Sequence, residues 1–183
     1  MKKLLLTAII VLFTVISTSA QSFGAKAGLN IANVSGDVED NKALLGLNVG
    51  VFAEFELSDW VFLQPEILYS AQGVELKEEG VSFDFEMDYL NIPVMFKFEV
   101  ADDFNLEAGP QIGFLLSAKL LGVDVKDQME TVDFGANLGF SYDFTENLFV
   151  GARYNIGLTN IVKDSPDESV KNSVFSISAG YKF

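Results

Sequence analysis

The chain has 183 residues, 49 % of them apolar, and a formal net charge of −14, with neither histidine nor cysteine. Without those two residues it can build no Ser-His-Asp or Cys-His nucleophile, no zinc site of the usual ligands and no disulfide framework. A chain this acidic also has no bulk electrostatic attraction for nucleic acid or for an anionic lipid surface.

Read from the amino end, Met1 to Ala20 has the layout of a secretory signal. Lys2 and Lys3 precede an apolar run from Leu4 to Ile16, and Thr18-Ser19-Ala20 offers small residues for cleavage. The run is too short for a spanning helix, which needs about 20 residues. Residues 21–183 are then expected to form a single domain, exported by a cleaved signal peptide. Losing two lysines with the leader would take its charge to −16.

From there the chain alternates at period two, one parity apolar and the other glycine or polar, which predicts strands with one greasy and one wet face. Eight are expected: Ser22–Val34, Ala43–Leu57, Trp60–Val74, Phe83–Val100, Phe104–Leu121, Thr131–Phe144, Leu148–Ile161 and Lys171–Phe183. Their connections alternate in length. Ser58-Asp59, Ala101-Asp102-Asp103 and Thr145-Glu146-Asn147 have the composition of tight turns, whereas Ser35–Lys42, Glu75–Ser82, Gly122–Glu130 and Val162–Val170 are longer and polar. Short turns at one end and long loops at the other describe an up-and-down meander of the kind found in outer-membrane barrels.

Which parity points inward separates a membrane protein from a soluble carrier. The apolar parity includes Leu45, Leu47, Val49 and Val51, and Leu148, Val150, Tyr154 and Ile156; opposite it stand Gly46, Asn48, Gly50 and Glu54, and Gly151, Arg153, Asn155 and Gly157. An eight-stranded interior is just wide enough for side chains to fill or for one small ligand. The glycine-rich polar parity fits that space, and the bulky apolar parity would overfill it. The expectation is an all-β, eight-stranded antiparallel up-and-down transmembrane β-barrel whose apolar band meets lipid and whose interior is polar and filled. A soluble periplasmic barrel binding a small apolar ligand is the other reading of the same alternation.

Aromatic residues gather near the tight turns: Phe55, Trp60, Phe98, Phe104, Phe144, Phe149, Tyr181 and Phe183. They are read as an interfacial girdle. Pro65, Pro93 and Pro110 fall inside strands three, four and five at nearly one height, where each removes a ladder donor, so a shared bulge or bend is expected there.

The inward parity carries six charges at similar heights: Lys26, Glu54, Glu66, Lys97, Glu107 and Arg153. Buried charges need partners, so three acids and three bases in one layer read as a structural network. Arg153, with a rigid five-donor fork, is expected to bridge Glu107 and either Glu54 or Glu66. The outer loops hold Asp37, Glu39 and Asp40, then Glu75, Glu78 and Glu79, then Asp124, Asp127 and Glu130, then Asp164, Asp167 and Glu168. None has the spacing of a dedicated calcium loop, and no metal or other cofactor is expected; a solvated rim, or loose divalent bridging to lipopolysaccharide, is.

Several segments resemble the porin-family or PorT-like outer-membrane β-barrel domain of Bacteroidetes-type bacteria. They are Gly28-Leu29-Asn30, Gln64-Pro65-Glu66-Ile67-Leu68-Tyr69-Ser70, Tyr89-Leu90-Asn91-Ile92-Pro93-Val94, Gly109-Pro110-Gln111-Ile112-Gly113, Leu116-Ser117-Ala118-Lys119, Ala152-Arg153-Tyr154 and Gly157-Leu158-Thr159-Asn160-Ile161. The resemblance implies an eight-stranded barrel in the outer membrane of a Gram-negative bacterium, and little about activity. The expected role is non-enzymatic, structural or surface-interacting through four outer loops; a narrow pore or a subunit of a secretion or envelope complex is the alternative. Expected partners are outer-membrane lipid and lipopolysaccharide, an envelope protein, and barrel-assembly machinery through the last strand ending at Phe183.

Overall fold

Alternation at period two is what a strand between two different solvents requires. A computed structural model of the protein, describing residues 21–36, 41–78, 81–163 and 169–183, carries that alternation through nearly the whole chain. The strands are β1 (Gln21–Gly36), β2 (Asn41–Ser58), β3 (Val61–Glu78), β4 (Val81–Ala101), β5 (Phe104–Leu120), β6 (Val123–Asp124), β7 (Val132–Asp143), β8 (Leu148–Gly157) and β9 (Val170–Lys182). The predicted leader, Met1 to Ala20, lies outside the described residues.

Every neighbouring pair is antiparallel, and β1 pairs with both β2 and β9 while β4 pairs with β5. The result is a closed ring of eight strands, with β6 a two-residue extension of β5 outside it. Closure leaves no strand edge unpaired around the ring, which a hydrocarbon surrounding demands. No helix among the described residues is long and apolar enough to cross a membrane, so the strands do the crossing. The connections at residues 59–60, 102–103 and 144–147 are the expected tight turns, and Asp103 takes the positive φ (63°) that its turn needs.

The apolar parity faces out. Leu45, Leu47, Val49 and Val51 on β2 are 53–73 % exposed, and Ile67, Leu106, Leu138 and Ile177 continue the band. On β4 the outward apolar run extends from Leu90 to Val100. At about 3.3 Å per residue and the usual tilt of about 40° it covers roughly 25 Å, the height of an apolar barrel band.

Above Leu90 the polarity of the two faces exchanges, with no change in which β4 residues point out. Asp84, Glu86 and Asp88 point outward, while Met87 and Tyr89 are buried inside with Val34, Val74, Leu115, Ala118, Met129 and Ile161. Water has replaced lipid outside, so the apolar side chains turn inward and close the mouth. This corrects two expectations. The upper interior is apolar rather than polar, and most of Glu75–Ser82 is not a loop: β3 and β4 continue through it, paired Leu76↔Phe83 and Glu75↔Asp84, leaving only residues 79 and 80 between them.

The prolines act as a bend. Pairing lapses between Pro65/Val94 and Leu68/Asn91 on β3–β4, and between Pro93/Gln111 and Phe96/Ala108 on β4–β5, without a register shift at either place. The register shifts lie elsewhere, two beside the tight turns at Glu56/Ser58 and Glu99/Ala101, and two at Ala43/Asn48 and Asp88/Tyr89, close to the level where the polarity of the faces exchanges. There the extra residue lets one strand change which side it buries.

Candidate functional site in the lumen

The inward side chains form storeys, beginning at the tight-turn end with a plug of two phenylalanines. Phe52 and Phe149 are 3 % and 2 % exposed, with ring centroids 5.5 Å apart in an edge-on arrangement. Each lies over a glycine in direct register, Phe52 over Gly24 and Phe149 over Gly180, and a Cβ at either glycine would overlap the ring. Phe149 is therefore not part of the girdle as expected. Phe55 is not lipid-exposed either, being 6 % exposed opposite the equally covered Leu63. Trp60, Phe144, Tyr181 and Phe183 are exposed at the turn end, with Trp60 6.2 Å from Phe98 and Phe183 6.0 Å from Tyr181.

Charges surround this plug. Lys97 Nζ donates to Glu54 Oε2 at 2.6 Å, and Lys182 Nζ pairs with Glu54 Oε1 at 2.9 Å and Asp143 Oδ1 at 3.2 Å. Both ammonium groups also sit over the Phe149 ring, 5.5 and 5.9 Å from its centroid. Below opens a vestibule of about 360 Å³ bordered by Ser22, Glu56, Phe62, Glu146 and Phe183.

The next storey centres on Arg153. Its Nη1 and Nη2 reach Glu66 Oε2 and Oε1 at 3.0 and 2.9 Å, a fork-on-carboxylate pair, and Nη2 also reaches Glu107 Oε2 at 2.8 Å. Lys26 Nζ donates to Glu66 Oε2 at 3.0 Å and Gln64 Nε2 to Glu66 Oε1 at 2.7 Å. The six charges expected in one layer thus fall into two networks. Lys26, Glu66, Glu107 and Arg153 make one, Glu54 and Lys97 belong to the other, and the second carboxylate of Arg153 is Glu66 rather than Glu54. Sequence reasoning missed Lys182 and Asp143, although both follow the inward parity of their strands, two residues beyond Gly180 and Ser141. With them the two networks hold four acids and four bases.

Above lies a storey of amides. Asn48 Nδ2 donates to Asn30 Oδ1 at 2.7 Å, and Asn30 and Gln72 both donate to Ser70 Oγ, at 2.9 and 3.1 Å. On the facing wall Asn155 donates to Asn137 at 3.1 Å and Asn137 to Gln111 at 3.2 Å. The two relays flank a chamber of about 30 Å³.

The top storey is fastened by Gly157-Leu158-Thr159-Asn160-Ile161, where the chain leaves the β8 ladder earlier than predicted. Thr159 Oγ1 accepts from Phe134 N and donates to the buried Asp133 Oδ1 at 2.7 Å, while Asn172 Nδ2 donates to Asp133 Oδ2 at 2.8 Å. Asn160 Oδ1 accepts from Val170 N at 3.0 Å. Ile161 enters the apolar closure, and Glu130 N donates to its carbonyl at 2.8 Å; Met129 arrives from the other loop after a single 3₁₀ turn, Lys126–Gln128.

Among the described residues no group of His, Cys, Asp or Glu side chains could hold a metal ion. What the fold and the lumen define is a transmembrane barrel whose own side chains occupy its interior between a turn-end vestibule and an apolar closure at the loop end. The chain belongs to the outer membrane protein β-barrel domain family, whose model matches residues 19–163. Its fold is similar to that of neisserial surface protein A, with 19 % identity and a TM-score of 0.62 over 90 % of this chain and 99 % of that one. It is also similar to Ail, the attachment invasion locus protein of Yersinia pestis, at 18 % identity, TM-score 0.54 and 89 % and 99 % coverage. OprG of Pseudomonas aeruginosa matches at 12 % identity, TM-score 0.51 and 90 % and 97 % coverage. No curated protein is significantly similar in sequence.

Proposed function

We propose that this outer-membrane barrel works at its loop end, in a structural or surface-interaction role, rather than as a channel or an enzyme. The observation that supports this is the occupied lumen: phenylalanines, two ion-pair networks, amides and an apolar closure succeed one another along the axis. Such a molecule can act only through its ends or its lipid face.

Cations favour the loop end. Lys42, Lys119, Lys126, Lys163 and Lys171 lie there, whereas Lys182, near the turn end, is held by Glu54 and Asp143. With short turns in the periplasm, the loop-end lysines face outside. Ail holds the heparin analogue sucrose octasulfate in its structure; the acidic groups around this mouth, Asp124, Asp127 and Glu130 among them, make a polyanion a poor ligand here. Lipopolysaccharide, an envelope protein, and assembly machinery meeting the strand that ends at Phe183 are the partners this reading carries forward. The finer kinship with PorT-like proteins and a cleaved signal before Gln21 rest on the sequence motifs.

Amine-reactive, membrane-impermeant crosslinker applied to intact cells tests the reading. Loop-end lysines should react and carry the crosslinks to any partner, while Lys26 and Lys97 should react only after unfolding and Lys182 should stay unlabelled on intact cells. Labelling of Lys182 on intact cells, or loop-end lysines that never react, would remove the surface role.

A further inference from the structure

The amide chamber has a hydrogen-bond imbalance that the barrel does not resolve. Arg153 Nε, a donor, and Gln72 Oε1, an acceptor, are buried without a partner among the described residues. Both side chains line the chamber, and their residues are only 8 % and 7 % exposed. An orphaned buried donor or acceptor costs about 1–3 kcal/mol, so two on side chains that line one small chamber ask for a ligand able both to accept and to donate.

Size and charge select it. About 30 Å³ suffices for two water molecules at roughly 10–15 Å³ each. An ion finds no reason to enter, because the charge of Arg153 is spent on Glu66 and Glu107 and that of Lys26 on Glu66. We propose that this chamber is a specific site for a pair of water molecules, which accept from Arg153 Nε–H and donate to Gln72 Oε1. The pair completes the hydrogen bonding of the central arginine, and its exchange is slow. The apolar group around Met129 and Ile161 narrows the barrel above it, and Phe52 with Phe149 narrows it below. This goes beyond the loop-end role, since it concerns the middle of the lumen and stands whether or not the loops bind anything.

Arg153 is the sole arginine of the chain, so arginine labelled with nitrogen-15 gives a single Nε–H resonance. In phospholipid nanodiscs that proton should show a nuclear Overhauser cross-peak to long-lived water, unchanged when chloride is replaced by bromide. Gln72→Met, similar in size but without the acceptor, should weaken the cross-peak several-fold while amide shifts elsewhere in the barrel report an intact fold. No cross-peak in the parent protein, or a Gln72→Met cross-peak as strong as the parent's, would overturn the site. A resonance that moves with the halide would replace the waters by an anion and overturn it as well.

Discussion

At Arg153 the value of a residue depends on what is left behind when it goes. Glu66 keeps Lys26 and Gln64 if the guanidinium is removed, but Glu107 has no other side-chain hydrogen bond among those found in the lumen. Arg153→Met should therefore cost on the order of 3–5 kcal/mol, chiefly by stranding Glu107. Glu107→Gln in that background should recover much of the loss, whereas Glu66→Gln should not, since it also deprives Lys26 of its carboxylate. Urea unfolding in detergent micelles measures all four chains, and strictly additive losses would show that Arg153 and Glu107 are uncoupled. Arg153 was legible as the centre of a network from parity and from being the lone arginine. Glu107 was legible as one partner and Glu54 or Glu66 as the other; the choice between those two was not, because reach across a lumen depends on the stagger of the strands. Phe149 shares the inward parity of Gly151 and Arg153, so its place inside could also be read, although Leu148-Phe149-Val150 is apolar throughout; its seat over Gly180 could not.

At the level of elements, the β5–β6 hairpin carries a backbone conflict. Leu120 pairs with Val123, so Leu121 and Gly122 form a two-residue turn, with φ of 51° and 78°. Gly122 suits that geometry; a leucine pays for it, and at 72 % exposure it gains little packing in return. Leu121→Asn should therefore stabilise the folded barrel by about 0.5–1 kcal/mol, seen as a higher urea midpoint. A lower midpoint would mean that Leu121 makes contacts that its exposure hides. Strand count, tight turns and lipid-facing parity could all be read from the sequence, since they follow from a strand between lipid and a filled interior. The top of β3 and β4 could not. Residues 75–78 and 81–86 mix acids with apolar side chains in a way that resembles a solvated loop unless the change of outside solvent is already located.

At the scale of the molecule, the ring, the band and the two closures are one construction: a wall that meets hydrocarbon, and an interior that leaves no aqueous column. Planar-bilayer recordings should accordingly show no stable open state, and steady porin-sized currents would contradict the filled lumen. The pairing of four acids with four bases adds a condition on that silence. An applied potential does about 2.3 kcal/mol of work per elementary charge for each 100 mV crossed. Glu54, Glu66, Glu107 and Asp143 against Lys26, Lys97, Arg153 and Lys182 sum to zero, so a field has no net charge by which to drag the two networks toward either end. Those two networks are built to be deaf to voltage, and the silence should hold at either polarity.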